Sequence, residues 1–254
     1  MGGSYSDLAG KVVVVTGGSR GIGAETAREF AAQGARVCVV GRDGGALDGV
    51  VEGISKDGGA AVAVIADVTD SGALERVREE TEARFGPVDV VAAFAGGQGF
   101  PVPSAELTEE RWREVIDSDL TSAFLTVRTF LAGMAERGSG AFILMSSAAG
   151  RQPSLANLAY GAANAGVVMM ARHLAREVGP KGVRVNCIAP SAILTEKVEA
   201  MMPGEIKERV AADHPLGRIG TPGDVAQAAL FLASEAGGYL SGITIDVAGG
   251  KITN

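Results

Sequence analysis

The chain has 254 residues, 46% of them hydrophobic and 5% aromatic, with 37 glycines and a formal net charge of −7. That length suits a single α/β domain over 1–254, and no Pro/Ser-rich linker or charge run divides it. Acidic and basic residues are interspersed, which excludes an extended basic face for nucleic acid, and the longest apolar runs fall far short of the roughly 20 residues of a membrane helix.

In chain order, short β-branched runs alternate with amphipathic stretches. Residues 1–9 lack the apolar core of a signal peptide. Lys11–Thr16 reads as the first strand, and Thr16-Gly17-Gly18-Ser19-Arg20-Gly21-Ile22-Gly23 carries it into a helix over 22–33. There the strand ends at Thr16-Gly17 and the helix opens at Gly21-Ile22-Gly23, so bare backbone can approach a pyrophosphate at the helix N-terminus. The second strand, Arg36–Gly41, runs into Arg42 with no carboxylate where one would bond the ribose 2′-hydroxyl of NAD. Arg42 and Arg20 offer guanidinium groups to a 2′-phosphate instead, so NADP(H) is favoured over NAD(H). Asp43 stands one residue late for the carboxylate role. A helix over 43–56, the strand Ala61–Ala66, a helix over 71–85, the strand Val88–Phe94 and a long helix over 108–136 follow.

The strand Gly140–Ser146, a helix over 154–179, the strand Val183–Ile188, a helix over 222–235 and the strand Ile243–Asp246 complete the pattern. Apolar runs without alternation imply strands covered on both faces. The expectation is a doubly wound, Rossmann-type parallel sheet of about seven strands, helices on both faces, with ligand at the carboxyl ends of the strands. Cys38 and Cys187 fall inside apolar runs, where a free thiol behaves as a small hydrophobe, and point to buried, inert thiols in a cytoplasmic protein. His173 and His214 have no Cys or carboxylate cluster beside them, so no metal site is expected. His173 reads as a packed or interface residue and His214 as a loop residue.

Ser147, in Ser146-Ser147-Ala148-Ala149-Gly150, precedes Tyr160, in Ala159-Tyr160-Gly161-Ala162-Ala163-Asn164-Ala165-Gly166, by thirteen residues. With the glycine turn after the first strand, Asp67-Val68, Ala95-Gly96-Gly97, Asn186-Cys187-Ile188-Ala189-Pro190 and Pro215-Leu216-Gly217-Arg218, the chain resembles the short-chain dehydrogenase/reductase family over almost its whole length. The resemblance implies a cofactor site at Gly17, Ser19, Arg20, Gly21, Ile22, Gly23 and Arg42. It places Asp67 and Val68 at the adenine, Ile193 and Thr195 at the nicotinamide carboxamide, and Ala95, Gly96, Tyr160, Asn164 and Pro190 along the remaining cofactor wall. Ser191 follows Pro190 where the family usually has glycine.

The resemblance also implies that Tyr160 exchanges a proton with a substrate oxygen held by Ser147. A free tyrosine has a pKa near 10, so such a role at neutral pH needs a nearby cation. The family's lysine, one helical turn after the Tyr, is replaced by Asn164, and its upstream asparagine aligns with Asp119. Both changes raise the Tyr160 pKa. A third departure is Ala92-Ala93-Phe94-Ala95-Gly96, where the family commonly has Asn-Asn-Ala-Gly.

Three readings follow. In the first, the protein is an NADPH-dependent reductase of an apolar carbonyl compound with a Ser147–Tyr160–Asn164 site. In the second, it catalyses a dehydration, cyclisation or epimerisation with Asp119 as acid or base, keeping NADP structurally. In the third, it is a catalytically silent nucleotide-binding protein. A substrate lid is expected near 191–215, where Met201 and Met202 suit an adaptable wall, with Phe100, Pro101, Val102, Gln152, Pro153 and Leu155 completing the pocket. The helices over 108–136 and 154–179 carry small or apolar residues on more than one side and need partners there. Family members pair them across a two-fold axis, which implies a homotetramer.

Overall fold

A computed structural model describes residues 3–253, and among them one seven-stranded, all-parallel sheet carries the chain. Its strands are β1 (Val12–Thr16), β2 (Arg36–Gly41), β3 (Ala60–Ile65), β4 (Val90–Ala93), β5 (Gly140–Met145), β6 (Val183–Pro190) and β7 (Thr244–Val247). They lie in the order β3-β2-β1-β4-β5-β6-β7. All seven predicted strands are present, β2 with the same bounds and the others with ends shifted by at most two residues. The order reverses between β1 and β4, which opens the crevice where doubly wound sheets take ligands.

The helices are α1 (Gly21–Ala32), α2 (Gly44–Lys56), α3 (Ser71–Phe85), α4 (Glu109–Ile116), α5 (Ser122–Arg137), α6 (Leu158–Val178), α7 (Glu196–Met201), α8 (Gly204–Ala212) and α9 (Pro222–Ala233). Alternate strand residues feed two cores. Val13, Val15 and Ile143 pack with Phe30 of α1, Leu47 of α2 and Leu230 of α9. On the other face Val14, Phe142 and Leu144 pack with Leu74 of α3, Phe130 of α5 and Val167 of α6. Burial on both faces is the reason β1 is an unbroken run of valines.

Three predicted elements differ from the structure. The single helix over 108–136 is divided by a π turn at Asp117–Thr121 between α4 and α5. There Ser122 Oγ donates to Ser118 O at 2.6 Å and Thr126 Oγ1 to Ser122 O at 2.8 Å, the side-chain competition that disturbs a helical ladder. The helix over 154–179 starts at Leu158, because Asn157 is its N-cap and accepts from the Tyr160 N–H at 2.9 Å. The stretch 191–215 is built of α7 and α8. Met201's side chain lies outside the described residues.

Candidate active site

Every sequence-predicted site residue lies at or just beyond the carboxyl ends of the strands. At the β1–α1 turn, a side chain on Gly23 would overlap the Gly17 carbonyl, so only glycine lets the helix start this close to the strand. Arg20 is the N-cap of α1 and makes no side-chain cap bond, so the first-turn N–H groups keep their capacity for an anion. Ser19 lies against Gly41 at the end of β2, and Thr195 lies against Gly21, 3.0 Å from where a Cβ there would stand. The residue before α7 therefore touches the glycine turn. A cavity of about 340 Å³ beside this contact is lined by Gly21, Leu194, Glu196 and Thr221.

Arg20, in the β1–α1 turn, and Arg42, after β2, are differently engaged. Arg20 pairs with Asp43, whose other oxygen caps α2 by accepting from Ala46 N at 3.1 Å. Asp43 is thereby held by its own helix. Arg42 is more exposed and stands 3.9 Å from Asp67. Two hydrogen bonds from Thr69, through its backbone N–H and its hydroxyl, hold the Asp67 carboxyl below the usual carboxylate range, with Arg42 adding to the effect. Val68, next in the chain, is buried.

The backbone beyond β4 is held from β1. Thr16 Oγ1 accepts from Phe94 N at 3.0 Å and from Ala95 N at 3.1 Å, so a hydroxyl on β1 satisfies both N–H groups. Thr16 was legible only as part of the glycine motif. Beyond Ala95, Gly96 (φ +137°) passes so close to Asp119 that a Cβ would meet Oδ1 at 2.8 Å.

Asp119 projects from the π turn and is 6% exposed. Its Oδ1 accepts from Gly97 N at 2.7 Å, and its Oδ2 accepts from the Ser118 hydroxyl. Burial raises its pKa, opposed by hydrogen bonds from Ser118, Gly97 and Gln98. Its geometry is that of a residue holding a loop.

Ser147 follows β5, and its Oγ accepts from Ala149 N at 3.2 Å at the head of a short 3₁₀ turn. Its hydroxyl stands beside the Tyr160 phenol and pulls the phenol pKa down. Burial raises the phenol pKa, and the charge of Asp119 adds to the rise, while hydrogen bonds from Ser147 and Asn164 oppose it. Asn164 is 3% exposed. Its Nδ2 donates to Tyr160 O at 2.9 Å, and its backbone O accepts from Ser146 Oγ at 2.9 Å. One N–H of the amide is thus spent on its own helix.

Two residues carry roles the sequence reading missed. Ser191 turns its hydroxyl onto His214, 2.7 Å from Nε2, while His214 Nδ1 lies 2.7 Å from Val210 O. A carbonyl only accepts, so Nδ1 bears a proton, and Nε2 is left to hydrogen-bond with the Ser191 hydroxyl. His214 lies in the loop after α8, as expected, but it is 2% exposed and ties that loop to the end of β6. The second is Asn157, which also donates from Nδ2 to Gln98 O at 2.8 Å and to Phe100 O at 2.9 Å. Polar residues with partners this distant in sequence give no local signal.

Of the expected pocket walls, Phe100 is 69% and Leu155 90% exposed. Ile193 is buried and bridges to Gly220 beside Pro190, the last residue of β6. A larger cavity of about 520 Å³, lined by Lys11, Asp89, Arg184 and Tyr239 among others, contains none of the predicted site residues.

Known proteins match this chain end to end. The model of a family described as enoyl-(acyl carrier protein) reductase matches residues 17–251. A cis-4-hydroxycyclohexanecarboxylate dehydrogenase of Sinomonas cyclohexanicum is 38% identical over 243 residues, covering 96% of this chain and 97% of that protein. A 3-oxoacyl-[acyl-carrier-protein] reductase of Chlamydia trachomatis is 35% identical over 244 residues, covering 96% and 98%. The solved structure of levodione reductase superposes with a TM-score of 0.92 at 30% identity, covering 96% of this chain and 98% of the other.

Proposed function

The chain belongs to the short-chain dehydrogenase/reductase family of oxidoreductases, which bind a nicotinamide dinucleotide, and we propose that it is an NADP(H)-dependent reductase of an apolar, alicyclic carbonyl compound. The observation that carries this reading is the placement of the Ser147 hydroxyl, just after β5, beside a half-buried Tyr160 phenol that the loop after β4 covers. Two similar proteins support the substrate class, one named for a hydroxycyclohexane acid and the other for levodione.

The chain fits the cofactor. The glycine turn at 17–23 offers bare backbone and uncapped N–H groups to the pyrophosphate. Asp67 and Val68 take the adenine, and Ala95, Gly96 and Pro190 line the way to Ile193 and Thr195 at the carboxamide. Exposed Arg42, aided by Arg20, takes the 2′-phosphate. Asp43, spent on Arg20 and on the α2 cap, is poorly placed to accept from a free 2′-hydroxyl. When bound, the dinucleotide supplies or accepts the hydride.

The chain's own residues handle the oxygen and the proton. Ser147 holds the substrate carbonyl oxygen and Tyr160 donates its phenolic proton to it. With no ammonium at 164, the phenol stays protonated well into alkaline pH, which suits reduction. Residues 191–215 serve as the substrate lid of a single dinucleotide-binding unit, hinged at the Ser191–His214 bond. The buried free cysteines support a cytoplasmic setting, and the exposed apolar residues on α5 and α6 support a homotetramer.

The test is NADPH consumption against a panel of cyclic ketones, diketones and 3-oxoacyl thioesters, with NADH in parallel. Turnover of cyclic ketones with NADPH above NADH is expected. Product without a two-hydrogen mass gain overturns the reading and favours the non-redox alternative, for which buried Asp119 would be the acid or base. Nucleotide binding with neither product would leave a catalytically silent protein.

A further inference from the structure

The loop after β4, Gly97-Gln98-Gly99-Phe100, lies across the Tyr160 ring. A Cβ built on Gly99 would stand 3.0 Å from Tyr160 Cδ1 and Cε1, so the loop backbone is the wall against the phenol. Side chains from three places hold it. Asp119 accepts from Gly97 N at 2.7 Å, and Arg111 Nη2 donates to Gln98 Oε1 at 3.0 Å. The third is Asn157, 1% exposed, whose two N–H donors reach Gln98 O and Phe100 O while its oxygen caps the helix that bears Tyr160. One buried amide thus joins the wall to the proton donor's helix, with every bond in range.

We infer that Asn157 is a positioning residue that fixes the 98–100 loop as a wall over Tyr160 and so sets the size of carbonyl compound that reaches the phenol. The part concerning substrate size rests on the reductase reading above; the clamp itself rests on geometry alone. Capping needs only an acceptor oxygen, whereas the clamp needs the two N–H donors.

Asn157→Asp separates the two roles, because a carboxylate caps α6 as well as an amide but donates nothing and faces two carbonyl oxygens. Asn157→Ser is the uncharged companion, and Asn157→Ala removes both roles. Hydrogen exchange of the 96–103 segment is measured together with melting temperature, NADPH affinity and KM and kcat for a small and a bulky cyclic ketone. In the Asp and Ser variants, which leave two carbonyls without donors at a 1%-exposed position, we expect a lower melting temperature, the α6 start still protected, and the loop exchanging about tenfold faster relative to it, the scale of one or two net hydrogen bonds. KM for the bulky ketone should fall relative to that for the small one, with NADPH affinity unchanged.

Loop exchange equal to that of the natural protein in both variants overturns the clamp. Faster exchange with an unchanged bulky-to-small KM ratio overturns its role in substrate choice. If the natural protein reduces no ketone, the reductase reading fails, and the exchange comparison still decides the clamp.

Discussion

In the proposed reaction Tyr160 has no lysine one helical turn on, where Asn164 stands, and its pKa is raised. Burial comes first and the Asp119 charge adds to it. Because the folded pKa lies above the ordinary tyrosine value, the protonated form persists through neutral and mildly alkaline pH. Ketone reduction, which uses that proton, should stay nearly flat between about pH 6 and 9, while the reverse oxidation, which needs a base, should climb about tenfold per pH unit there. Initial rates in both directions check this. Asn164→Lys places a cation one helical turn from Tyr160 and should bring the oxidation profile to lower pH. Tyr160→Phe should lower kcat by roughly 10²- to 10⁴-fold with cofactor affinity retained, read by fluorescence titration beside steady-state kinetics. Arg42→Ala should raise KM for NADPH about 10- to 100-fold, the loss of a charge-assisted contact, and leave NADH little changed. Ser147, Tyr160 and Arg42 were legible because motif spacing or position at a strand end marks them. Thr16, Asn157 and His214 were not, because each serves a partner remote in sequence, or, for His214, the end of another element.

Among the elements, the π turn and the N-caps do the positioning. An uninterrupted helix over 108–136 would carry Asp119 on a different azimuth, since one extra residue in a turn rotates everything after it. The sequence pattern there is helical throughout, and only the bonds of Ser118 to Val115 O, Ser122 to Ser118 O and Thr126 to Ser122 O mark the interruption. Helix α9, which packs on α1, begins with a full capping box between Thr221 and Asp224. Thr221→Ala should cost about 1 kcal/mol of stability, seen as a lower melting temperature with the catalytic constants nearly unchanged. At the end of β6, Ser191→Gly removes the bond to His214 and leaves a buried ring nitrogen without its partner. That variant should weaken NADPH binding through its nicotinamide half while a 2′-phosphorylated ADP-ribose binds as before, a comparison made by calorimetry.

For the whole molecule, the exposed side chains of α5 and α6 matter most. Phe124 is 50% and Met169 60% exposed, which is costly to leave in water if nothing covers them. Phe124→Glu together with Met169→Glu should reduce the proposed tetramer to smaller species, measured by light scattering after gel filtration. No helix among the described residues is long and apolar enough to cross a membrane.

By itself, the sequence determined the doubly wound sheet, its strands to within two residues, and the turn at 17–23. These follow from local pattern: runs of β-branched residues demand burial on both faces, and glycine is required wherever backbone meets backbone. Tertiary structure alone decided where the polar side chains spend their hydrogen bonds. The loop over Tyr160, the Asp119 bond to Gly97 and the Ser191–His214 link each join groups far apart in the chain. A buried donor or acceptor must find a partner, and which partner it finds depends on the packing of elements that no local pattern encodes.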